Sequence, residues 1–220
     1  MKIKPIIVIA GEPKSIFFEI FFKSLNLYSY KSPIILICNK NIFKKEMKIY
    51  KLKKKIKILE IKKKLNVNFN NNYLYILNIP IKIQNNETKN KYIRNYLSSS
   101  FKLAFKLIKM GVSNKLLNGP INKEKFLNKK FLGVTEYISN YFKKKNTGML
   151  IYNKQLSVCP LTTHLPLKYV ARKITKKLIS EKIDFFVFLH DFFAKKCSRG
   201  NASTGPWILN PDWPCRNRDW

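Results

Sequence analysis

The chain has 220 residues and a mass of 26.0 kDa, enough for one ordinary domain or two small ones. Hydrophobic residues make up 45% and aromatic residues 14% of the sequence, which excludes an intrinsically disordered protein. The formal net charge is +32, a value that normally suggests nucleic acid or an anionic membrane surface as a partner.

The type of basic residue weakens that suggestion. Only five of the 44 basic residues are arginine, the residue whose planar fork binds phosphate and guanine through two hydrogen bonds. The lysine excess accompanies many Ile, Asn, Phe and Tyr residues, a profile typical of an AT-rich coding sequence. We therefore expect no nucleic-acid partner, and we keep a lysine-rich nucleic-acid-binding protein as the alternative.

Predicted strands and helices alternate along the chain. Helical periodicity begins after Ser15, a candidate N-cap, with one apolar face. That predicted face consists of Ile16, Phe17, Ile20, Phe21 and Leu25. Further helices are predicted over 41–50, 88–110 (with Gly111 at the C-cap), 122–130, 135–145, 167–179 and 181–196. Strands are predicted over 6–10, 34–38, 56–61, 73–79 and 116–117, and a hairpin over 149–152 and 156–161, turned at 153–154.

This alternation predicts an α/β fold with a largely parallel sheet. The apolar run Ile6–Ala10 is too short for the core of a signal peptide, and no stretch approaches the ~18 apolar residues of a membrane span. The four cysteines show no Cys-x-x-Cys pair, which favours reduced thiols. We expect a cytoplasmic protein without a membrane partner.

Residues 197–220 differ in composition from the preceding sequence. They contain all three Trp residues and none of the Lys or Phe residues. A proline-rich surface tail is one interpretation. We favour another, in which the reading frame changes or foreign sequence begins near Cys197, because an abrupt change in codon-driven composition has no folding rationale.

Few residues are candidates for chemistry. His164 follows a predicted strand and precedes a predicted helix, where polar residues of α/β sheets face a ligand crevice. An imidazole there can hold a metal or exchange a proton, although a lone histidine is more often structural. The turns at Gly11-Glu12-Pro13 and Asn118-Gly119-Pro120 are plausible crevice loops or ordinary turns. Dinucleotide and P-loop glycine fingerprints are absent from the sequence.

Four segments occur in a characteristic order along the chain. They are Gly11-Glu12-Pro13 with Ser15-Ile16, Asn118-Gly119-Pro120-Ile121-Asn122-Lys123, Leu132-Gly133-Val134-Thr135-Glu136-Tyr137 and Thr162-Thr163-His164-Leu165-Pro166-Leu167. Together, these segments resemble 4-hydroxythreonine-4-phosphate dehydrogenases. Their order and approximate spacing agree with the family across residues 2–196, and the last two segments are the most specific.

The resemblance implies a homodimeric, two-domain α/β enzyme related to isocitrate and isopropylmalate dehydrogenases. Such an enzyme oxidises 4-phosphohydroxythreonine with NAD or NADP, and the keto acid loses CO2 to give 3-amino-2-oxopropyl phosphate in pyridoxal phosphate biosynthesis. A divalent metal (Zn, Mg or Co) assists as a Lewis acid. His164 matches the first of three metal-binding histidines, and Thr135 matches a substrate-binding threonine.

The chain also departs from the family pattern. Val134 stands where many relatives carry a substrate-binding histidine, and Asp212 follows the only Leu-Asn-Pro stretch, where the second metal histidine is expected. The resemblance implies a first domain over 1–122, an incomplete second, substrate- and metal-binding domain over 123–196, and an atypical tail over 197–220. We therefore predict a C-terminally truncated family member with little or no dehydrogenase activity.

Overall fold

The computed structural model describes residues 3–60, 67–80, 89–128, 130–144, 147–152, 157–163 and 165–197. These residues fall into two compact units, one within residues 1–128 and one within 129–220. Helix α4 (Lys123–Leu127) belongs to the first unit, where the Phe126 ring stacks on Phe101 of helix α3 (Lys89–Lys109) at a centroid distance of 5.3 Å. The division of the protein into domains at residues 122 and 196 stays a prediction.

The first unit is built on a five-stranded parallel sheet. Its strands are β1 (Ile6–Ile9), β2 (Ile34–Cys38), β3 (Lys55–Leu59), β4 (Tyr73–Asn78) and β5 (Leu116–Asn118), in the order β3-β4-β2-β1-β5. Every strand pair in this sheet is parallel, which confirms the predicted fold class. All five residues of β2 are buried, as expected for a central strand covered on both faces.

Helices α1 (Phe17–Leu27) and α2 (Lys40–Ile49) pack together through aromatic side chains. The predicted face of α1 is wrong in part, because Phe17, Phe18 and Phe22 are buried whereas Ile16 and Ile20 are each 57% exposed. Both faces of this segment are apolar, so periodicity alone cannot choose between them. Phenylalanine rings have the larger area to bury, and their packing determines the rotation of the helix.

The predicted cap of α1 is also wrong. Ser15 lies in the turn before the helix, and its buried hydroxyl has no hydrogen-bond partner among the described residues. Helix α2 has a true cap instead. The Asn39 side-chain oxygen accepts hydrogen bonds from the backbone N–H groups of Asn41 and Ile42, and its amide nitrogen donates to the Ile79 carbonyl over 3.1 Å. This buried asparagine therefore joins the ends of β2 and β4.

The long helix α3 and its C-cap agree with the sequence prediction. Its side chains Leu97, Phe101 and Ala104 are fully buried in the core of the first unit. Gly111 follows the helix with φ +73°, the left-handed conformation that ends helices and favours glycine.

Two acidic groups in this core are expected to make stability fall at alkaline pH. Burial raises the pKa of the Cys38 thiol. Burial is also the largest cause of the raised pKa of the Tyr96 phenol. An acidic group whose pKa is higher in the folded than in the unfolded chain stays neutral in the folded protein while it ionises in the unfolded chain. The stability of the fold is therefore complete at neutral pH and falls as the pH rises above the unfolded-state pKa. For Cys38 we expect a loss of about 1.4 kcal/mol per pH unit above pH ~8.5.

The measurement is urea unfolding between pH 7.5 and 9.5 for the wild-type protein and for Cys38→Ala. The variant should lose less stability over this range than the wild type. Cys159→Ala is the matched control, since Cys159 is half-buried in the second unit. Parallel pH dependences of wild type and Cys38→Ala would contradict the prediction.

The second unit contains helices and a short antiparallel strand pair. Its elements are α5 (Val134–Tyr141), β6 (Ile151–Tyr152), β7 (Ser157–Val158), α6 (Leu167–Lys173) and α7 (Lys176–Cys197). Strands β6 and β7 pair as the predicted hairpin requires, and the predicted turn at 153–154 lies outside the described residues. None of the helices in the described ranges is long and apolar enough to cross a membrane.

The break between the last two helices differs from the prediction, which placed it near residue 180. The structure ends α6 at Lys173 and begins α7 at Lys176. The Thr175 hydroxyl accepts a hydrogen bond from the Leu178 N–H over 3.2 Å, as an N-cap residue does. The capping chemistry of Thr175, and not that of Ser180, therefore determines where α7 begins.

Candidate functional site

Two of the loops that carry the family resemblance lie side by side in the first unit. Strands β1 and β5 are parallel neighbours, so the turn after β1 and the loop after β5 emerge at the same carboxyl edge of the sheet. The Gly119 N–H donates a hydrogen bond to the Ile9 carbonyl over 2.7 Å, which continues the pairing into the loops. Ligands of open parallel sheets bind at such edges.

Both glycines in these loops are required by close backbone approach. Gly11 has φ +79°, and a Cβ atom built there would lie 2.4 Å from the Pro120 carbonyl oxygen. A Cβ atom on Gly119 would lie 2.4 Å from the Ala10 carbonyl oxygen. Since both obstacles are backbone atoms, the two loops can come together only when neither carries a side chain at these positions.

Glu12 joins the two loops. Its N–H donates to the Pro120 carbonyl over 3.0 Å, and its Oε1 accepts a hydrogen bond from the Asn122 N–H over 2.6 Å. The Asn122 side-chain oxygen in turn caps α4 by accepting from the Lys125 N–H over 3.0 Å. The Glu12 carboxylate is therefore engaged in holding the loop, in agreement with the interpretation of this segment as a tight turn.

The second unit contains a cavity of about 70 Å³. Thr135, the second residue of α5, and Thr163 both line this cavity. The two segments that are most specific for the family resemblance therefore contribute to the same cavity. Val134, the first residue of α5, is half-buried and does not line the cavity. The lining residues are Thr135, Glu136, Thr147, Gly148, Met149, Pro160, Leu161, Thr163 and Lys182.

Two charged side chains in this lining were not singled out from the sequence. Glu136 follows Thr135, and its Oε2 atom is buried without a hydrogen-bond partner among the described residues. Lys182 reaches the cavity from α7, and its Nζ donates to the Thr147 carbonyl over 2.6 Å. Glu136 lies inside a recognised motif, so its sequence position was a usable signal. Lys182 is one of many helical lysines, and only the packing of α7 distinguishes it.

The neighbouring tyrosine of α5 is not a proton acceptor at neutral pH. Burial, with a smaller contribution from Tyr141, raises the pKa of the Tyr137 phenol. Its ring packs edge to face against Phe131 at a centroid distance of 5.5 Å. Tyr137 therefore contributes packing at the start of α5.

The described residues do not form a metal site by themselves. No three His, Cys, Asp or Glu side chains come together in the part of the chain that the structure describes. The predicted ligand His164 lies outside the described residues, as does Asp212. The role of His164 as a metal ligand therefore stays a prediction of the family resemblance.

The described residues define an α/β protein with a parallel sheet, glycine-dependent loops at the carboxyl edge of that sheet, and a second unit that contains a cavity. The family model described as "Pyridoxal phosphate biosynthetic protein PdxA" matches residues 29–200, most of the chain. The chain belongs to this family.

Individual relatives agree with this assignment. The 4-hydroxythreonine-4-phosphate dehydrogenase of Wigglesworthia glossinidia brevipalpis is 27% identical over 198 residues, which cover 83% of this chain and 55% of the relative. Crystal structures of 4-hydroxythreonine-4-phosphate dehydrogenases from Klebsiella pneumoniae and Burkholderia phymatum superpose with TM-scores of 0.68 and 0.66 at 19% and 20% identity. The match with the Klebsiella structure covers 88% of this chain and 60% of the Klebsiella chain. The match with the Burkholderia structure covers 83% of this chain and 56% of the Burkholderia chain. At these identities the structures show a shared fold.

Proposed function

We propose that the chain binds the substrate of 4-hydroxythreonine-4-phosphate dehydrogenases in pyridoxal phosphate biosynthesis and carries out their reaction in impaired form. The 3-hydroxyl carbon of 4-phosphohydroxythreonine transfers a hydride to NAD or NADP, and the hydroxyl proton is released. The resulting β-keto acid loses CO2, and protonation of the enol gives 3-amino-2-oxopropyl phosphate. The observation that carries the proposal is the opening of Thr135 and Thr163, from the two most specific family segments, on one cavity.

The proposal includes the remaining partners expected from the resemblance. Thr135 binds the substrate through its hydroxyl, which both donates and accepts hydrogen bonds. His164 would be one ligand of a divalent metal (Zn, Mg or Co), which would supply Lewis-acid chemistry to the reaction. The working form is a cytoplasmic homodimer, without a nucleic-acid or membrane partner. The expectation of weak or absent turnover stays a prediction.

The experiment measures ligand binding and turnover on the same protein. We expect calorimetry to give tighter binding of 4-phosphohydroxythreonine than of unphosphorylated hydroxythreonine. Thr135→Val should weaken binding of the phosphorylated compound by about tenfold, the effect of one lost hydrogen bond to a charged group. NAD(P)H formation with added divalent metal measures turnover.

Thr162→Val is the matched control, because Thr162 belongs to the same segment as Thr163 but does not line the cavity. It should leave the affinity within about twofold of the wild type, since a surface substitution away from the ligand changes free energies by less than about 0.5 kcal/mol. Equal affinity for the phosphorylated and unphosphorylated compounds would contradict the proposed substrate.

A further inference from the structure

The end of β5 carries the only Asn-Gly dipeptide of the sequence, Asn118-Gly119. In such a dipeptide the backbone nitrogen of the glycine can attack the side-chain carbonyl carbon of the asparagine, because glycine has no Cβ atom to obstruct the approach. The side-chain nitrogen is then lost as ammonia without any enzyme. Asn118 is exposed, so water has access to its side chain. By its chemistry alone, this residue is a site of spontaneous deamidation.

The fold keeps the attacking atom in a hydrogen bond. Gly119 is buried, and its N–H donates to the Ile9 carbonyl over 2.7 Å. Asn118 is in register with Ile9, and its side-chain amide nitrogen donates to the Gly119 carbonyl over 3.1 Å. The reaction requires the Gly119 nitrogen to bond to the Asn118 side chain and to give up its proton. The hydrogen bond to Ile9 must therefore break before Asn118 can react.

The reactive dipeptide cannot be removed by replacing its glycine. A Cβ atom on Gly119 would lie 2.4 Å from the Ala10 carbonyl oxygen, so the approach of the two loops requires glycine here. The protection of Asn118 depends instead on the pairing of β5 with β1, which extends over three residue pairs. Among the described strands β5 is an outer one, and short outer strands separate at a lower free energy than the core.

We propose that Asn118 is a deamidation site gated by local separation of β5 from β1, and that its isoaspartate product prevents the two strands from pairing again. In the separated state the Gly119 nitrogen bonds to Cγ of Asn118. The side-chain nitrogen leaves as ammonia and takes the proton of the Gly119 N–H. Water then opens the resulting succinimide ring. Cleavage of the bond to Cγ gives aspartate, and cleavage of the bond to the backbone carbonyl carbon gives isoaspartate.

The isoaspartate product changes the backbone as well as the charge. Its chain runs through the Cβ and Cγ atoms of residue 118, which adds one methylene group between β5 and the loop. Gly119 would then no longer lie opposite the Ile9 carbonyl. The contacts of Glu12 with Pro120 and Asn122 depend on the same position of the loop. Deamidation would therefore disrupt this edge of the sheet permanently, whichever ligand binds there.

The first test measures the rate of deamidation at Asn118 in the folded wild-type chain by peptide mapping with mass spectrometry. A synthetic peptide of residues 115–122 in the same mildly alkaline buffer gives the rate without the fold. We expect the folded chain to react at least about tenfold more slowly than the peptide, because only the separated state reacts. Equal rates in the chain and the peptide would overturn the inference.

The dependence of this rate on denaturant distinguishes local from global opening. Separation of one short strand exposes little surface, so the rate should stay constant in guanidinium chloride concentrations at which the protein remains folded. A rate that rises steeply with denaturant, in parallel with the population of unfolded chains, would show that global unfolding gates the reaction. That result would contradict the gating by β5.

Variants of two glycines provide a further test. Gly11→Ala places a methyl group 2.4 Å from the Pro120 carbonyl oxygen and should speed the reaction at Asn118 by about tenfold, since it separates the loops that hold Gly119 against β1. Gly111→Ala is the matched control. Nothing lies within 4 Å of its Cβ position, and the rate should stay within about twofold of the wild type. Equal rates in the two folded variants would contradict the proposal. If Gly11→Ala does not fold, the denaturant dependence of the wild-type rate decides.

The last test concerns the product. Wild-type chain is kept in guanidinium chloride until Asn118 is partly deamidated, and it is then returned to buffer. We expect the refolded fraction to be depleted of isoaspartate at position 118 relative to aspartate. Asn118→Asp is the matched control, because it has the new charge on a backbone of ordinary length, and it should refold as the wild type does. Equal proportions of isoaspartate and aspartate before and after refolding would show that the product does not prevent pairing.

Discussion

Replacing Gly11 by alanine is expected to destabilise the first unit by about 3 kcal/mol or more. Part of this cost is conformational, since a non-glycine residue at φ +79° is strained by about 1 kcal/mol. The larger part is steric. The new methyl group would lie 2.4 Å from the Pro120 carbonyl oxygen, and a backbone atom cannot turn away as a flexible side chain does. Accommodating it means separating the two loops and losing the Glu12 hydrogen bonds.

Gly111→Ala is the matched control for this experiment. Gly111 has nearly the same backbone conformation, φ +73°, but nothing lies within 4 Å of its Cβ position. Its substitution should therefore cost only the strain of about 1 kcal/mol. Urea unfolding followed by far-ultraviolet circular dichroism measures both values. Equal losses in the two variants would show that the loops yield to the methyl group and that their approach is not a constraint.

Phe22→Ala is expected to cost about 3–5 kcal/mol of unfolding free energy. The Phe22 side chain is fully buried, and its ring lies 5.5 Å from the rings of both Phe18 and Phe43 and 6.3 Å from that of Tyr50. Truncation removes a large apolar surface and opens a cavity between α1, α2 and the sheet. The surrounding rings cannot all move to fill it, which places the cost at the upper end of core substitutions.

Ile20→Ala on the same helix provides the comparison. Ile20 is 57% exposed, so its truncation should change stability by no more than about 0.5 kcal/mol. The same urea experiment distinguishes the observed rotation of α1 from the one that the sequence predicted, in which Ile20 faces the core. A larger loss for Ile20→Ala than for Phe22→Ala would favour the predicted rotation.

Local patterns were sufficient for the order of the elements in the first unit. The apolar run at Ile34–Cys38 and the long periodic segment ending at Gly111 were predicted within one or two residues, because buried strands and capped helices carry their signals in adjacent positions. The same local reasoning failed for α1, where apolar residues occupy both faces. It also failed at the end of α6, where Thr175 and Ser180 are equally good caps by sequence.

The candidate site was predictable as a set of segments but not as a set of contacts. The sequence indicated the loops after β1 and β5 and the segments around Thr135 and Thr163. It could not indicate that Glu12 bonds to Asn122, 110 residues away, because a hydrogen bond between distant residues leaves no periodic signal. Lys182 was hidden for a related reason, since most lysines of a chain with a net charge of +32 are solvated.

The sequence by itself therefore determined the parallel α/β architecture and the segments that carry the family resemblance, because both are encoded in neighbouring residues. Only the tertiary structure decided the rotation of α1, the close approach of Gly11 to Pro120, and the meeting of Glu136 with Lys182 in one cavity. Each of these depends on which surfaces pack together, and packing is decided by the shapes of side chains that are far apart in the chain.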